Sequence, residues 1–107
     1  MNALAAISCL HAVNGDLNRG LMALKKYNGA WRRFEFRGEF MGTKIFDDYG
    51  HHPTEVLATL RGAREQFPDQ KITLVFQPHQ YNRTKKLFND FMTAFSDADE
   101  VIIPNIY

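Results

Sequence analysis

The chain has 107 residues, 45% of them hydrophobic, and a formal net charge of +1 from 13 Lys and Arg against 12 Asp and Glu. That length supports one modest core and is short for two complete domains; no apolar run approaches the roughly 20 residues of a bilayer span, and the near-neutral balance excludes a general nucleic-acid surface. The single cysteine, Cys9, lies in an apolar helical pattern without an intrachain partner, which predicts a buried, inert thiol in a reducing cytoplasm.

From Asn2 to Val13, the residues Ala3, Ala6, Ile7, Leu10 and Val13 keep helical spacing, and Asn14-Gly15 is a stop signal. Asp16 is a good N-cap for a second helix with Leu17, Leu21 and Leu24 on one side, closed by Asn28-Gly29. Phe34, Phe36 and Phe40 then alternate with Glu35, Arg37 and Glu39, the pattern of a strand with one buried face. Met41-Gly42 turns the chain into a strand over Thr43-Lys44-Ile45-Phe46 that ends at Asp47 or Asp48. A helix from Pro53 to Phe67 carries Val56, Leu57, Leu60, Ala63 and Phe67 on one face and stops at Pro68-Asp69. The continuous run Ile72-Thr73-Leu74-Val75-Phe76 reads as a strand covered on both faces. Leu87, Phe88, Phe91 and Phe95 mark a further helix, and Val101-Ile102-Ile103 a last short strand. A helical pair followed by β-β-α-β-α-β places the chain in the α/β class, as the incomplete start of a mainly parallel sheet with right-handed crossovers. The expected boundary divides residues 1–32 from residues 33–107.

The segment Asp47-Asp48-Tyr49-Gly50-His51-His52-Pro53 joins a strand to a helix and concentrates two carboxylates, two imidazoles and a phenol in that join. A loop that leaves the carboxyl end of a strand and feeds a helix N-terminus is where open α/β sheets bind ligands, because the helix end offers free N–H groups and positive potential. His79 and Arg83 follow the next strand as His51 follows the first, which predicts that both loops emerge on one sheet edge. A zinc site from His51, His52 and His79 has neither a paired cysteine nor an established ligand spacing behind it, so no metal ligand is assigned.

Asp47-Asp48-Tyr49-Gly50-His51-His52-Pro53-Thr54-Glu55, followed by Phe76-Gln77-Pro78-His79-Gln80-Tyr81-Asn82-Arg83-Thr84, resembles the C-terminal region of the Mur ligases of peptidoglycan synthesis, in their alanine-adding branch. Arg32-Arg33-Phe34-Glu35 is similar to the segment closing the family's central ATP-binding domain, and Asn2-Ala3-Leu4-Ala5-Ala6 to the end of its adenine-side helix motif. The resemblance implies that residues 1–32 are the last helices of that central domain and residues 33–107 the first part of a Rossmann-like C-terminal domain. It implies a bacterial cytoplasmic enzyme that uses ATP with Mg2+ to phosphorylate the carboxylate of UDP-N-acetylmuramate and then lets the amine of L-alanine attack the acyl phosphate.

By the same resemblance, Asn2 reads adenine, Arg33 contacts nucleotide near the domain junction, and Asp48 holds the ribose hydroxyls. His51 lies near the acyl phosphate and is the catalytic candidate, with Tyr49 lining the same pocket; His79 and Arg83 take the amino-acid carboxylate. Each has a plainer reading: a turn aspartate capping local N–H groups for Asp48, a solvated loop histidine for His51, a surface ion pair for Arg83, a solvated edge for Arg32 and Arg33. Arg32 is expected to be exposed, Asp47 to be structural, and His52 to serve the backbone at the helix start. Gln80 and Asn82 stand where the family carries arginine and serine, which removes one positive charge from the alanine loop. The sequence contains no Gly-x-x-x-x-Gly-Lys-Ser/Thr phosphate loop, so the chain is expected to be an internal fragment, inactive alone, that needs the remainder of the ligase chain. The alternatives are a related ligase acting on a muropeptide and a non-catalytic α/β binding module.

Overall fold

The computed structural model describes residues 2–105. Its contacts group the chain into two compact units, one ending at Ala30 and one beginning at Trp31, two residues ahead of the boundary suggested by the sequence.

The first unit is a pair of helices, α1 (Asn2–Ala12) and α2 (Leu17–Lys25). Asn14, at φ 54°, takes the left-handed position that ends α1, so that Asn14 N–H reaches the His11 carbonyl at 2.9 Å and Gly15 N–H the Leu10 carbonyl at 2.8 Å. This is the Schellman ending, with asparagine rather than glycine bearing the positive φ. The Asp16 carboxylate then accepts from Arg19 N–H at 3.1 Å and caps α2. Leu10 lies over Gly15 and Gly20, where an added Cβ would come within 2.3 and 2.5 Å of its methyl groups. No residue of either helix is buried, and Cys9 is exposed, which corrects the buried thiol expected from its apolar surroundings.

The second unit opens with an antiparallel hairpin of β1 (Glu35–Phe40) and β2 (Thr43–Asp47). Met41 at φ 49° and Gly42 at φ 79° make the two-residue turn, both with the positive φ that matches strand twist. The register slips at Arg37, between Phe36 opposite Phe46 and Gly38 opposite Ile45. That extra residue flips everything beyond it to the other face. Phe40 consequently pairs with Thr43 and is 67% exposed, and the alternation read from sequence fails there. Phe34 and Phe36 remain on the Phe46 side, with Phe34 stacked on Phe46 at 4.5 Å and Phe46 meeting Phe67 at 5.6 Å. The hairpin is thereby attached to the end of the next helix, α3 (Pro53–Gln66).

After α3 come β3 (Thr73–Val75), α4 (Tyr81–Lys86), α5 (Phe88–Ala94) and β4 (Glu100–Ile102). β3 and β4 pair in parallel, Thr73 opposite Glu100 and Val75 opposite Ile102. The core lies on one side of this pair: Val56 and Leu60 of α3, Phe76, and Phe91 and Ala94 of α5 are buried, and Ile72, Leu74, Leu87 and Phe95 pack around them. Phe76, Phe91 and Phe95 form an aromatic triangle with centroids 5.1 to 5.9 Å apart, Phe76 tilted against the other two and Phe91 stacked on Phe95. Alternation continues from Ile72 to Pro78, so Val75 points away from the core and is 66% exposed. Among the described residues the strand is covered on one face, not two.

The α/β class and the order of elements stand. The strands form two two-stranded sheets, β1-β2 and β3-β4, rather than one among the described residues, because β2 is not the hydrogen-bonded neighbour of β3. The single helix expected around Leu87 is divided in two by Leu87, and Phe88 beyond the break is 58% exposed instead of facing the core. No helix among the described residues is long and apolar enough to cross a membrane.

Candidate functional site

The corner between β2 and α3 is held by its own carboxylates. Asp48, half-buried, accepts Phe34 N–H on one oxygen at 2.8 Å and Gly50 N–H on the other at 2.7 Å. The first bond ties the loop to the chain ahead of β1, and the second closes a tight Asx turn. Gly50 is needed for that turn, because a Cβ there would sit 2.8 Å from Asp48 Oδ1. Asp48 therefore performs the plainer of its two expected roles. Each carboxylate oxygen still has a second lone pair available to a ligand hydroxyl.

The helix start follows from His52, Pro53 and Glu55. His52 is the N-cap, with extended backbone, and its Nδ1 accepts from Thr54 N–H at 3.4 Å and lies 3.1 Å from Thr54 Oγ1. Pro53 occupies the first helical turn, where no N–H is required. Glu55 Oε2 reaches back to accept His51 N–H at 3.0 Å and His52 N–H at 3.1 Å, the return arm of a capping box. These two backbone donors, His51 foremost, hold the Glu55 carboxyl below the usual glutamate range; desolvation opposes them, and nearby positive charge, from Arg33 and from the His51 ring when protonated, adds a lesser lowering. His52 thus serves the backbone, as its position suggests.

His51 is half-buried. Its Nδ1 lies 3.2 Å from the Tyr49 carbonyl and 3.6 Å from Glu55 Oε2, and the Tyr49 ring meets the imidazole edge-on with centroids 5.4 Å apart. Tyr49 in turn lies under the Arg32 guanidinium, 5.0 Å from its ring centroid, and Trp31 lies 5.7 Å from the same group. Arg32 is half-buried rather than exposed: Nε donates to Asp47 Oδ2 at 3.0 Å, its backbone N–H donates to Glu35 at 2.9 Å, and its carbonyl accepts Tyr49 N–H at 2.8 Å. Positive φ angles at Arg32 (50°) and Phe34 (49°) bend the chain so that Arg32 turns toward the loop and Arg33 stays exposed. Asp47 is structural, as expected. Arg32 is the residue that sequence reasoning misjudged, since the turn that aims it has no glycine to announce it.

The second motif follows β3. His79 is exposed, Gln80 precedes α4 with φ 71°, and Arg83 is half-buried within α4 instead of in a loop. Within the β2–α3 corner the Tyr49 and His51 rings are in contact, Asp48 holds Gly50 N–H, and the Arg33 charge acts on Glu55; among the described residues no hydrogen bond or ion pair joins the side chains of His79 or Arg83 to that corner. A shallow depression beside Arg83, lined by Tyr81, Thr84, Lys85, Lys86, Phe88 and Asn89, includes neither His79 nor Arg83. Asn2 is the first residue of α1, in the other unit. No group of three or more His, Cys, Asp or Glu among the described residues is placed to hold a metal ion.

Comparison with known proteins follows the same motifs. Residues 32–105 match the family model described as Mur ligase, glutamate ligase domain. The UDP-N-acetylmuramate–L-alanine ligases of Bdellovibrio bacteriovorus and Desulfitobacterium hafniense are each 47% identical over all 107 residues. The chain spans 24% of the length of each of these curated relatives. The crystal structure of the UDP-N-acetylmuramate-alanine ligase of Thermotoga maritima superposes with a TM-score of 0.84 at 35% identity, covering 99% of this chain and 23% of that one. A murein peptide ligase from Psychrobacter arcticus shares the fold, with a TM-score of 0.62 at 20% identity over 97% of this chain and 28% of its own. The corner built on Asp48, His51 and Glu55 lies within the matched region, and the chain belongs to the Mur ligase family through its glutamate ligase domain.

Proposed function

We propose that this chain supplies the ribose side and the amino-acid side of the cleft of an ATP-dependent ligase that joins L-alanine to the carboxylate of UDP-N-acetylmuramate in the bacterial cytoplasm. The observation that carries the reading is that both motif loops, 47–55 and 76–84, fall inside a 47% match running the whole chain against ligases named for that reaction. In it, residues 1–32 end the central ATP-binding domain and residues 33–107 begin the C-terminal domain. Asp48 accepts the ribose hydroxyls through lone pairs that the turn leaves free, Arg33 adds positive charge toward the nucleotide, and Asn2 presents an amide that can both donate to and accept from adenine. Tyr49 and His51 border the reacting carboxyl, while His79 and Arg83 take the alanine carboxylate, for which a planar guanidinium is the matching donor.

ATP and Mg2+ would bring the phosphoryl group and its charge neutralisation, catalysis that rests on positioning more than on covalent chemistry of the protein. The corner is suited to the positioning share: a carboxylate and an imidazole are fixed by backbone bonds at the carboxyl end of a strand and the N-terminus of a helix. The experiment is to exchange this segment for its counterpart in the Bdellovibrio bacteriovorus relative and to measure phosphate release with and without L-alanine. Alanine-dependent release accompanied by UDP-N-acetylmuramoyl-alanine is expected. Release that depends on a peptide and not on alanine would replace this reading with that of a muropeptide ligase, and an inert but folded exchange would favour a non-catalytic module.

A further inference from the structure

The proposed ligase reading uses His51 but says nothing of which ring nitrogen carries its proton, and the geometry around Glu55 decides that. His51 Nδ1 lies 3.2 Å from the Tyr49 carbonyl, an oxygen that can only accept, so Nδ1 must be the protonated nitrogen. The Glu55 carboxylate stands 3.6 Å from the same nitrogen and also holds the His51 backbone N–H at 3.0 Å. Both neighbours of Nδ1 are therefore acceptors, one of them charged. The Tyr49 ring, edge-on to the imidazole, limits its rotation.

His52, the adjacent histidine, is arranged in the opposite sense. Its Nδ1 accepts from Thr54 N–H and lies beside the Thr54 hydroxyl, so the neutral ring carries its proton on Nε2. Two consecutive imidazoles are thus set in opposite tautomers by what each Nδ1 faces. In this pair only His51 presents a bare Nε2 lone pair.

We infer that Glu55 is a positioning residue for His51: with the Tyr49 carbonyl it fixes the Nδ1–H tautomer and leaves Nε2 as a proton acceptor. The inference rests on the proposed ligase reading for its consequence. An amino acid arrives as an ammonium and attacks as an amine; transfer of one proton from that ammonium to Nε2 gives the neutral amine and an imidazolium. The imidazolium keeps its Nδ1–H bond to Tyr49, and its new charge faces Glu55. A carboxylate behind an imidazole stabilises the protonated ring and orients its far nitrogen, as in other histidine sites where the second nitrogen's partner sets the role of the first.

The test is long-range 15N–1H NMR of the imidazoles in the chain itself, with the His51 signals assigned by their loss in His51→Gln. The wild-type ring is expected to be predominantly Nδ1–H for His51 and Nε2–H for His52. Glu55→Gln keeps an oxygen for the backbone cap and removes the charge; it is expected to raise the Nε2–H fraction of His51 several-fold while His52 stays as it was. A wild-type His51 found as Nε2–H would overturn the inference without any variant. So would an unchanged His51 tautomer in Glu55→Gln and Glu55→Asp alongside a lowered melting temperature, since that is the signature of a cap and nothing more. The measurement needs no substrate, so its failure leaves the ligase reading standing. A fully active His51→Gln in the exchanged ligase would instead remove the proton-accepting role of His51 and leave both the tautomer assignment and the ligase reading standing.

Discussion

Gly50 and Glu55 carry more of the corner than their side chains suggest. A methyl group at Gly50 would press on Asp48 Oδ1 at 2.8 Å, so Gly50→Ala must push the carboxylate off Gly50 N–H and loosen the bond to Phe34 N–H with it. Two buried-edge hydrogen bonds to a charged acceptor are at stake, and a loss of about 2 kcal/mol in unfolding free energy is expected, read by urea denaturation. Glu55 sets a pH dependence. Its carboxyl is lowered below its ordinary value by the His51 and His52 N–H groups, so the folded state binds its proton less readily than the unfolded state. The stability it contributes is complete above the ordinary glutamate range and is lost as pH falls through the lowered value. Melting temperature against pH should therefore decline below that range in the wild type and decline less in Glu55→Gln. Asp99 and Glu100, also lowered, add to the acid loss in both proteins and provide the common background.

Arg64 is the connection on which the β3–β4 pair depends. From α3 its guanidinium donates to the Gln70 carbonyl at 2.8 Å, the Pro68 carbonyl at 3.4 Å, the Asp97 carbonyl at 3.1 Å and Asp99 Oδ2 at 2.6 Å. Asp99 completes the brace by accepting Ile72 N–H at 2.7 Å. The loops that enter β3 and β4 are thus joined through one fork. Arg64→Ala is expected to cost about 2 to 3 kcal/mol, and Arg64→Lys to recover less than half of it, because an ammonium cannot span the same four acceptors. Calorimetric melting of the three proteins checks the order. None of this was legible in the sequence, since three of the four acceptors are backbone carbonyls and two lie more than thirty positions away. The elements that were legible announced themselves locally: the Asn14-Gly15 stop, the Asp16 cap, the Met41-Gly42 turn and the apolar face of α3. Two of the errors arose where one residue changed the phase. The bulge at Arg37 turned Phe40 outward, and the break at Leu87 did the same to Phe88.

At the scale of the whole molecule, the fold presents a small core under one side of a parallel strand pair and an aromatic stack that fastens the hairpin to α3. The site lies at the end of β2 and the start of α3. His52 was legible as a residue serving the backbone at the helix start, whereas Glu55, three residues on, was read only as part of the motif and its return bond to the cap was not drawn from the sequence. The role of Arg32 was not legible, because it depends on backbone turns at non-glycine residues. The central claim is that one loop serves nucleotide and the other serves amino acid, and steady-state kinetics of the exchanged ligase, with each substrate varied in turn, tests it most directly. Asp48→Ala is expected to raise the KM for ATP and leave that for L-alanine near its starting value. Arg83→Ala is expected to raise the KM for L-alanine by roughly 10- to 150-fold, the loss of a charge-assisted bond of about 1.5 to 3 kcal/mol, with Arg83→Lys recovering only part. An Arg83→Ala ligase with a raised KM for ATP and an unchanged KM for L-alanine would contradict the account.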